Sequence, residues 1–472
     1  MIIYASIAVA KDWYVEQDGS GDSTTLSGLD GALTHDDTIY VGPGTYQENG
    51  LDYTLLGGVN VIGVGAEETI FDGSEATLAL PFIQVNGGEI SGITFRGLSR
   101  GGAAALAFRQ DAWAGEVVIH DCKFENLDRA IDLGPGSNDI VITNSTFTDN
   151  AKILDFDTTV DYIDIENNLF LGNVTVSSLA GYDQGPQGLA WTIAHNTFVM
   201  NGSGVALTFS RSVDTSSLPT IFVVNNVFSG GSSAILIDVE ASGASFVGLV
   251  DGNVFASDVV EPEVYLGVPD VVHGNTTMDP GFVLLSDDGD WTDDDLHLRW
   301  SSASIDYGLS GYAVQPRDRD GTGRPQDGNL DGIKLPDVGA YEMNPDVDED
   351  GYPAVAAGGT DCDDASVTAH PGAPEICDDD IDQDCDGVDA ACSDTGDSDG
   401  GDETGDTEGG EDDGVMDSSD GSEVNEAADS AKRASPGCGC ANAGGVASVS
   451  AMMGALSVVL ARRRFTLPFL AR

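Results

Sequence analysis

Basic residues are scarce in this chain. Lysine and arginine number 19 against 80 aspartates and glutamates, a formal charge of -61. A surface of that sign repels nucleic acid and anionic membranes, so neither is an expected partner, and it attracts divalent cations. Histidine is rarer still, with six in 472 residues. Long apolar runs occur only near the two ends of the sequence. The length argues against one compact core and for a repetitive body with appendages.

The repetition is legible between about residues 117 and 255, where VVIHDCKF, IVITNSTF, YIDIENNLF, WTIAHNTF, IFVVNNVF and VDGNVF recur every 23 to 30 residues. Counting back from Phe124, Phe147, Phe170, Phe198 and Phe228, apolar residues stand seven and five positions earlier, the alternation of a half-buried strand. Asn168, Asn196, Asn226 and Asn253 stand two positions before the phenylalanine in the last four copies. If each copy is one rung of a solenoid, rungs stack about 4.8 Å apart, the phenylalanines form an aromatic column and the asparagines an amide ladder. Cys122 takes the ladder position in the first copy and reads as a small buried residue. His120, His195 and His273 fall beside these turns and read as structural.

These rungs resemble the right-handed parallel β-helix of the pectate-lyase-like superfamily. TIYVGPGTYQE (Thr38–Glu48) and VIGVGAEETIFDG (Val61–Gly73) resemble its opening coils. DPGFVLL (Asp279–Leu285), LHLRWSSASIDYG (Leu296–Gly308) and DVGAYE (Asp337–Glu342) resemble the closing segment of a bacterial surface subgroup. The expected fold is therefore all-β: a single-stranded right-handed solenoid over residues 11–343 with roughly ten rungs. Leu26, Leu29 and Leu33 predict a short amphipathic helix over the first open coil. The Gly-, Asp- and Arg-rich stretch Arg317–Leu335 predicts a long surface turn.

At Asp346 the composition changes. From there to Asp429 there are 30 acidic residues and no lysine or arginine. DVDEDG presents Asp346, Asp348 and Asp350 in the alternation that lets carboxylates converge on one hard cation. Asp361 and Asp363 follow, and Asp382, Asp384 and Asp386 repeat the alternation. Ala357 stands where an EF-hand has its bidentate glutamate, so the remaining ligands are expected from the later aspartates. An all-oxygen set favours Ca2+, and His370 is too little for zinc or copper. Cys362, Cys377, Cys385 and Cys392 imply two disulfides in any of three pairings and an oxidising compartment. This Asp/Cys-rich module, residues 346–392, resembles the metal-binding motif of myxobacterial surface proteins.

Both ends read as export machinery. MIIYASIAVA ends in an Ala-x-Ala pattern and reads as a truncated signal peptide, residues 1–10. Residues 393–436 form an acidic low-complexity linker expected to be disordered. In residues 437–472, Cys438 and Cys440 precede an apolar transmembrane segment at about 443–461 and three arginines. That arrangement resembles the MYXO-CTERM sorting tail, which implies a sorting protease and display on the cell surface or outer membrane of a Gram-negative, myxobacterium-like cell.

Catalysis would need a site. Asp132 and Asp155, eight positions after consecutive phenylalanines, should point outward from neighbouring rungs, with Arg129 and Lys152 stacked nearby. Such a carboxylate pair could serve a polysaccharide lyase or a retaining glycosidase. The residue sets that the superfamily's polygalacturonases and pectin methylesterases carry are missing. The sequence leans to a non-catalytic protein whose partners are glycans, extracellular matrix or other cell-surface proteins, with membrane contact through the tail only. A surface carbohydrate-active enzyme and a metal-sequestering protein are the alternatives.

Overall fold

A computed structural model describes residues 10–391 except residues 30, 48–56, 76–80, 99–103, 109–114, 134–138, 157–161, 182–189, 201, 203, 212–219, 239–246, 267–273, 287 and 312–314. The stretches expected to be a signal peptide (apart from Ala10), an acidic linker and a sorting tail, together with Cys392, His273, Trp113 and Tyr182, lie outside the described residues. The chain winds through three parallel sheets. Two have ten strands and the third has eight. The first sheet runs from Asp12–Val15 to Val247–Asp251, the second from Thr276–Thr277 back to Gly44–Tyr46, and the third from Ile83–Val85 to Glu261–Leu266. Each strand pairs with the equivalent strand one rung away, as Phe147 pairs with Phe124 and Phe170. The architecture is a parallel β-solenoid.

Register explains the core. Phe124, Phe147, Phe170, Phe198, Phe228 and Phe255 stack with ring centroids 4.6 to 5.3 Å apart. Face-to-face stacking is not the geometry isolated rings prefer, but the rung repeat imposes it. The column continues upstream through Phe95, Phe71 and Tyr46, in copies too divergent to be read as repeats.

The amide ladder also forms. Asn196 Oδ1 accepts from the backbone N–H and Nδ2 of Asn168, at 3.0 Å each, while its own Nδ2 donates to the carbonyls of Ile165 and Ala194. Asn226 and Asn253 repeat the pattern, Ser145 and Cys122 begin the row, and Asn275 ends it. The residue before the ladder position has a positive φ from the first rung to the fifth: Asp121, Asn144, Asn167, His195 and Asn225 lie between 50° and 59°. Asn, Asp and His tolerate that region better than other side chains. A second ladder, Asn150 above Asn173, follows the second sheet. His195 is accordingly structural: its buried ring donates from Nδ1 to the Asp337 carbonyl and accepts at Nε2 from Asn225. Burial, and next Arg324, hold it neutral.

The cap is smaller than expected. Leu26, Leu29 and Leu33 are buried, but the element is a four-residue 3-10 turn, Leu26–Leu29.

The closing segment departs most from the expectation. After Met278 the chain lays the hairpin of Phe282–Leu284 and Asp295–Leu298 over the outer face of the second sheet, where Leu169, Leu171, Val199, Val227 and Val254 form a second apolar cluster. Residues 315–343 then run as a strap across the turns. Arg317–Leu335 is the expected surface turn, with residues 329–334 exposed, but part of it is anchored to the solenoid. The Arg319 guanidinium donates to the Ser145 carbonyl and Thr146 Oγ1, and Arg324 is buried against Glu342 at 3.1 Å. The Arg319 guanidinium is satisfied by these partners, whereas Arg324 is held by the charge of Glu342 and by one bond from Nη2 to the Gly339 carbonyl, with Nη1 left without a hydrogen-bond partner.

That strap should be pH-sensitive. Burial pushes the Glu342 carboxyl up to about 7, against the pull of Arg324. A folded-state value raised above the ordinary 4.5 gives stability that is fully present below about 4.5 and lost as pH rises through about 7. The melting temperature should therefore fall between about pH 6 and pH 8.5, and fall less in Glu342→Gln. An equal fall in both proteins would show that another group governs the strap.

Candidate metal centre

The strap delivers the chain directly into the first aspartate loop. Gly351 closes it at a φ of 92°, and the three carboxylates each spend one oxygen on the loop's backbone. Asp346 Oδ2 accepts from Gly351 N at 3.0 Å, Asp348 Oδ1 from Asp350 N at 3.2 Å, and Asp350 Oδ1 from Tyr352 N at 2.8 Å. The other oxygens, Asp346 Oδ1, Asp348 Oδ2 and Asp350 Oδ2, are buried without a hydrogen-bond partner.

A fourth orphan joins them. Past the turn at Val355–Ala357 and Gly358, the chain returns so that Ala354 bridges to Asp361. Asp361 is 1% exposed; Oδ1 accepts from Asp363 N, and Oδ2 is unpartnered. Oxygens of Asp348, Asp350 and Asp361 lie within 4.8 Å of one another, as do those of Asp346, Asp348 and Asp364. Asp348 belongs to both sets and links the five carboxylates. Burial, and next Asp350, Asp361 and Asp346, raise Asp348; burial and the same crowd raise Asp364. Buried oxygens with neither donor nor counter-charge are costly, and a cation is the partner that would relieve all of them.

A second loop repeats the wiring more openly. Gly387 N donates to Asp382 Oδ2, Asp386 N to Asp384 Oδ1 and Val388 N to Asp386 Oδ1. Here Glu375 completes the group with Asp382 and Asp384. The same turn recurs at Asp327–Ile333, where both Asp327 oxygens are already taken by backbone N–H groups. Loop shape is thus shared by three segments; single orphaned carboxylate oxygens occur elsewhere, at Asp164, Asp294 and Asp389, whereas four of them belong to the Asp346, Asp348, Asp350 and Asp361 carboxylates.

The sequence-selected residues fall as follows. Asp346, Asp348, Asp350 and Asp361 meet in one site; Asp382 and Asp384 meet in another, with Asp386 in its loop. Asp363 belongs to no such group among the described residues, and its backbone serves the turn instead. Asp364 and Glu375 were missed. Their signal was weak: one more aspartate in an acidic run, and a glutamate seven residues before its loop. Cys362 and Cys385 form a disulfide with Cα atoms 5.5 Å apart. Cys377 is disulfide-bonded too. Cys122 is free and buried, with its thiol pushed up to about 12 by burial.

On the third sheet, Asp132 pairs in register with Asp155. The Asp132 carboxylate is engaged by Arg129 Nη1 at 3.0 Å, and Ala130 N bonds the Lys152 carbonyl of the next rung. Trp191 packs against the core and Trp291 against the second cluster.

A family model, Cu-binding MopE, described as "Putative metal-binding motif", matches residues 361–391. Among solved structures, that of pectate lyase Pel9A is similar at a TM-score of 0.34 and 13% identity, over 72% of this chain and 98% of that one. No curated protein matches the chain.

Proposed function

We propose that this chain is a surface-displayed, non-catalytic β-solenoid stabilised by calcium through its Asp/Cys module, and that the solenoid wall engages glycans, matrix or another cell. The observation that carries the cation reading is the set of four orphaned, buried carboxylate oxygens at Asp346, Asp348, Asp350 and Asp361. Copper does not fit this donor set. Every candidate ligand in the two carboxylate groups is an oxygen, the Cys362 and Cys385 sulfurs are bonded to each other, and His370 is stacked on Tyr352 with centroids 4.7 Å apart. Hard divalent ions prefer such a set, and calcium accepts its irregular geometry better than magnesium. Export and surface retention are supported by the terminal sequences; deleting Cys438–Arg472 should release the protein into the medium, and continued retention would remove that support.

A second reading, a carbohydrate-active enzyme, is favoured by the register pairing of Asp132 with Asp155. One experiment addresses both. The purified chain is offered a panel of polysaccharides in calcium and in EDTA, and both retention and new reducing or unsaturated ends are scored. Retention without product is expected. Product that disappears in Asp132→Asn or Asp155→Asn would replace the non-catalytic reading with the enzyme.

A further inference from the structure

The disulfide lies between the two cation loops. Cys362 directly follows Asp361 of the first site, and Cys385 sits between Asp384 and Asp386 of the second loop. Both sulfurs also lie within 4.8 Å of an Asp361 carboxylate oxygen and of each other, a group of three potential ligands distinct from either carboxylate set. Asp361 is therefore common to a hard group with Asp348 and Asp350 and to a sulfur group with Cys362 and Cys385. Its Oδ2, buried and unpartnered, is the independent sign that this corner expects a ligand.

We propose that reduction of this disulfide turns the corner into a soft-cation site, in which the two thiolates and Asp361 hold a thiophilic ion of the Cd2+, Zn2+ or Cu+ class. A dithiol supplies two electrons and two protons: the S–S bond breaks, two S–H groups form, and the dithiol closes to its own disulfide. When the cation binds, the two thiol protons leave to solvent and two metal–sulfur bonds form. The surroundings suit both states. Cys362 is exposed to an attacking thiolate. Its Sγ lies 3.3 Å from the Asp382 carbonyl, an acceptor for a thiol proton, and its backbone N–H lies 3.1 Å from Cys385 Sγ, a donor to a thiolate. The bound ion would restore the cross-link that reduction removes.

The sharing of Asp361 sets the consequence. A soft ion that recruits its carboxylate takes a ligand from the Asp348/Asp350 group, so soft-ion binding in the reduced state opposes calcium binding. Oxidised, the module is a hard-cation site; reduced, it prefers sulfur-seeking ions. The inference rests on the cation reading of the module only through Asp361.

The test uses the full chain, reduced with dithiothreitol and freed of reductant without air, then titrated with Cd2+ while the thiolate-to-cadmium absorption in the ultraviolet is followed. The comparison is reduced Cys362→Ser/Cys385→Ser, which lacks the same cross-link but keeps every other cysteine. Reduced wild type should show a larger band than the oxidised chain, an increment that the double variant loses in large part. Asp361→Asn should keep the band while weakening cadmium binding about tenfold, and added cadmium should lower calcium affinity in the reduced wild type alone. A band of equal size in the double variant, or no increment in the reduced wild type, overturns the proposal. Calcium titration of the oxidised chain is a separate arm: its failure would remove the hard-site reading and leave the sulfur site standing.

Discussion

Asn196→Leu is expected to destabilise the solenoid by about 4 kcal/mol. The replacement keeps the number and branching of heavy atoms but is bulkier, so crowding of the row adds to the loss of its hydrogen bonds. Without the Asn196 amide, the Asn168 N–H loses its acceptor, and the carbonyls of Ile165 and Ala194 lose a donor. All sit in a row where Asn168, Asn196 and Asn226 are fully buried, so water cannot replace the lost partners. Each buried group left unpaired costs about 1–3 kcal/mol. Because rungs stabilise their neighbours, a weak rung in the middle lowers the melting of the whole array. Asn275→Leu, at the half-exposed end of the ladder, should cost much less. Wild-type melting in Asn196→Leu, or equal effects at both positions, would mean the ladder does not hold the turns.

Asp361→Asn is expected to lower calcium affinity about 100-fold, the loss of a desolvated charged ligand worth ~2.7 kcal/mol. Asp363→Asn, two residues away and exposed, should leave affinity unchanged. Isothermal titration of the oxidised chain separates the two. The contrast is informative because composition treats these aspartates alike and only the fold distinguishes them. Asp361 faces Asp348 and Asp350, whereas Asp363 turns outward after donating its N–H to Asp361. Equal losses at the two positions would indicate loose binding to an acidic surface rather than a built site.

Why some of this was legible and some was not follows from where the partners of each residue lie. The phenylalanine column and the asparagine ladder repeat at short intervals with apolar residues in fixed phase, so register could be read directly from spacing. Tyr46, Phe71 and Phe95 continue the column without the surrounding phrase, and Asn150 and Asn173 make a ladder of only two. Repetition that thin leaves no pattern to count. The anchoring of the strap was hidden for a different reason. Arg319 meets Ser145 from 174 positions away in sequence, and the pairing that lets Arg324 and Glu342 be buried is invisible until the chain folds back.

The metal centre lies between these cases. The alternation of Asp346, Asp348 and Asp350 with a glycine after them announces a cation loop. Which carboxylates complete it depends on the return at Gly358, where a φ of 79° turns the chain and brings Asp361 and Asp364 over the loop. An EF-hand closes twelve residues into its loop; here Ala357 holds that place, and closure comes later. The acid-rich run made several aspartates equivalent on paper, and the selection of Asp364 over Asp363 is a matter of which way each faces.

Whether the module is a built site for a hard divalent cation is tested by a paired titration of the oxidised full chain with Ca2+ and Cu2+, each repeated in the presence of the other. A saturable calcium isotherm is expected, one that copper leaves in place and that Asp361→Asn abolishes at the same concentrations. Copper binding that saturates, survives excess calcium and is indifferent to Asp361→Asn, with no calcium isotherm, would contradict it.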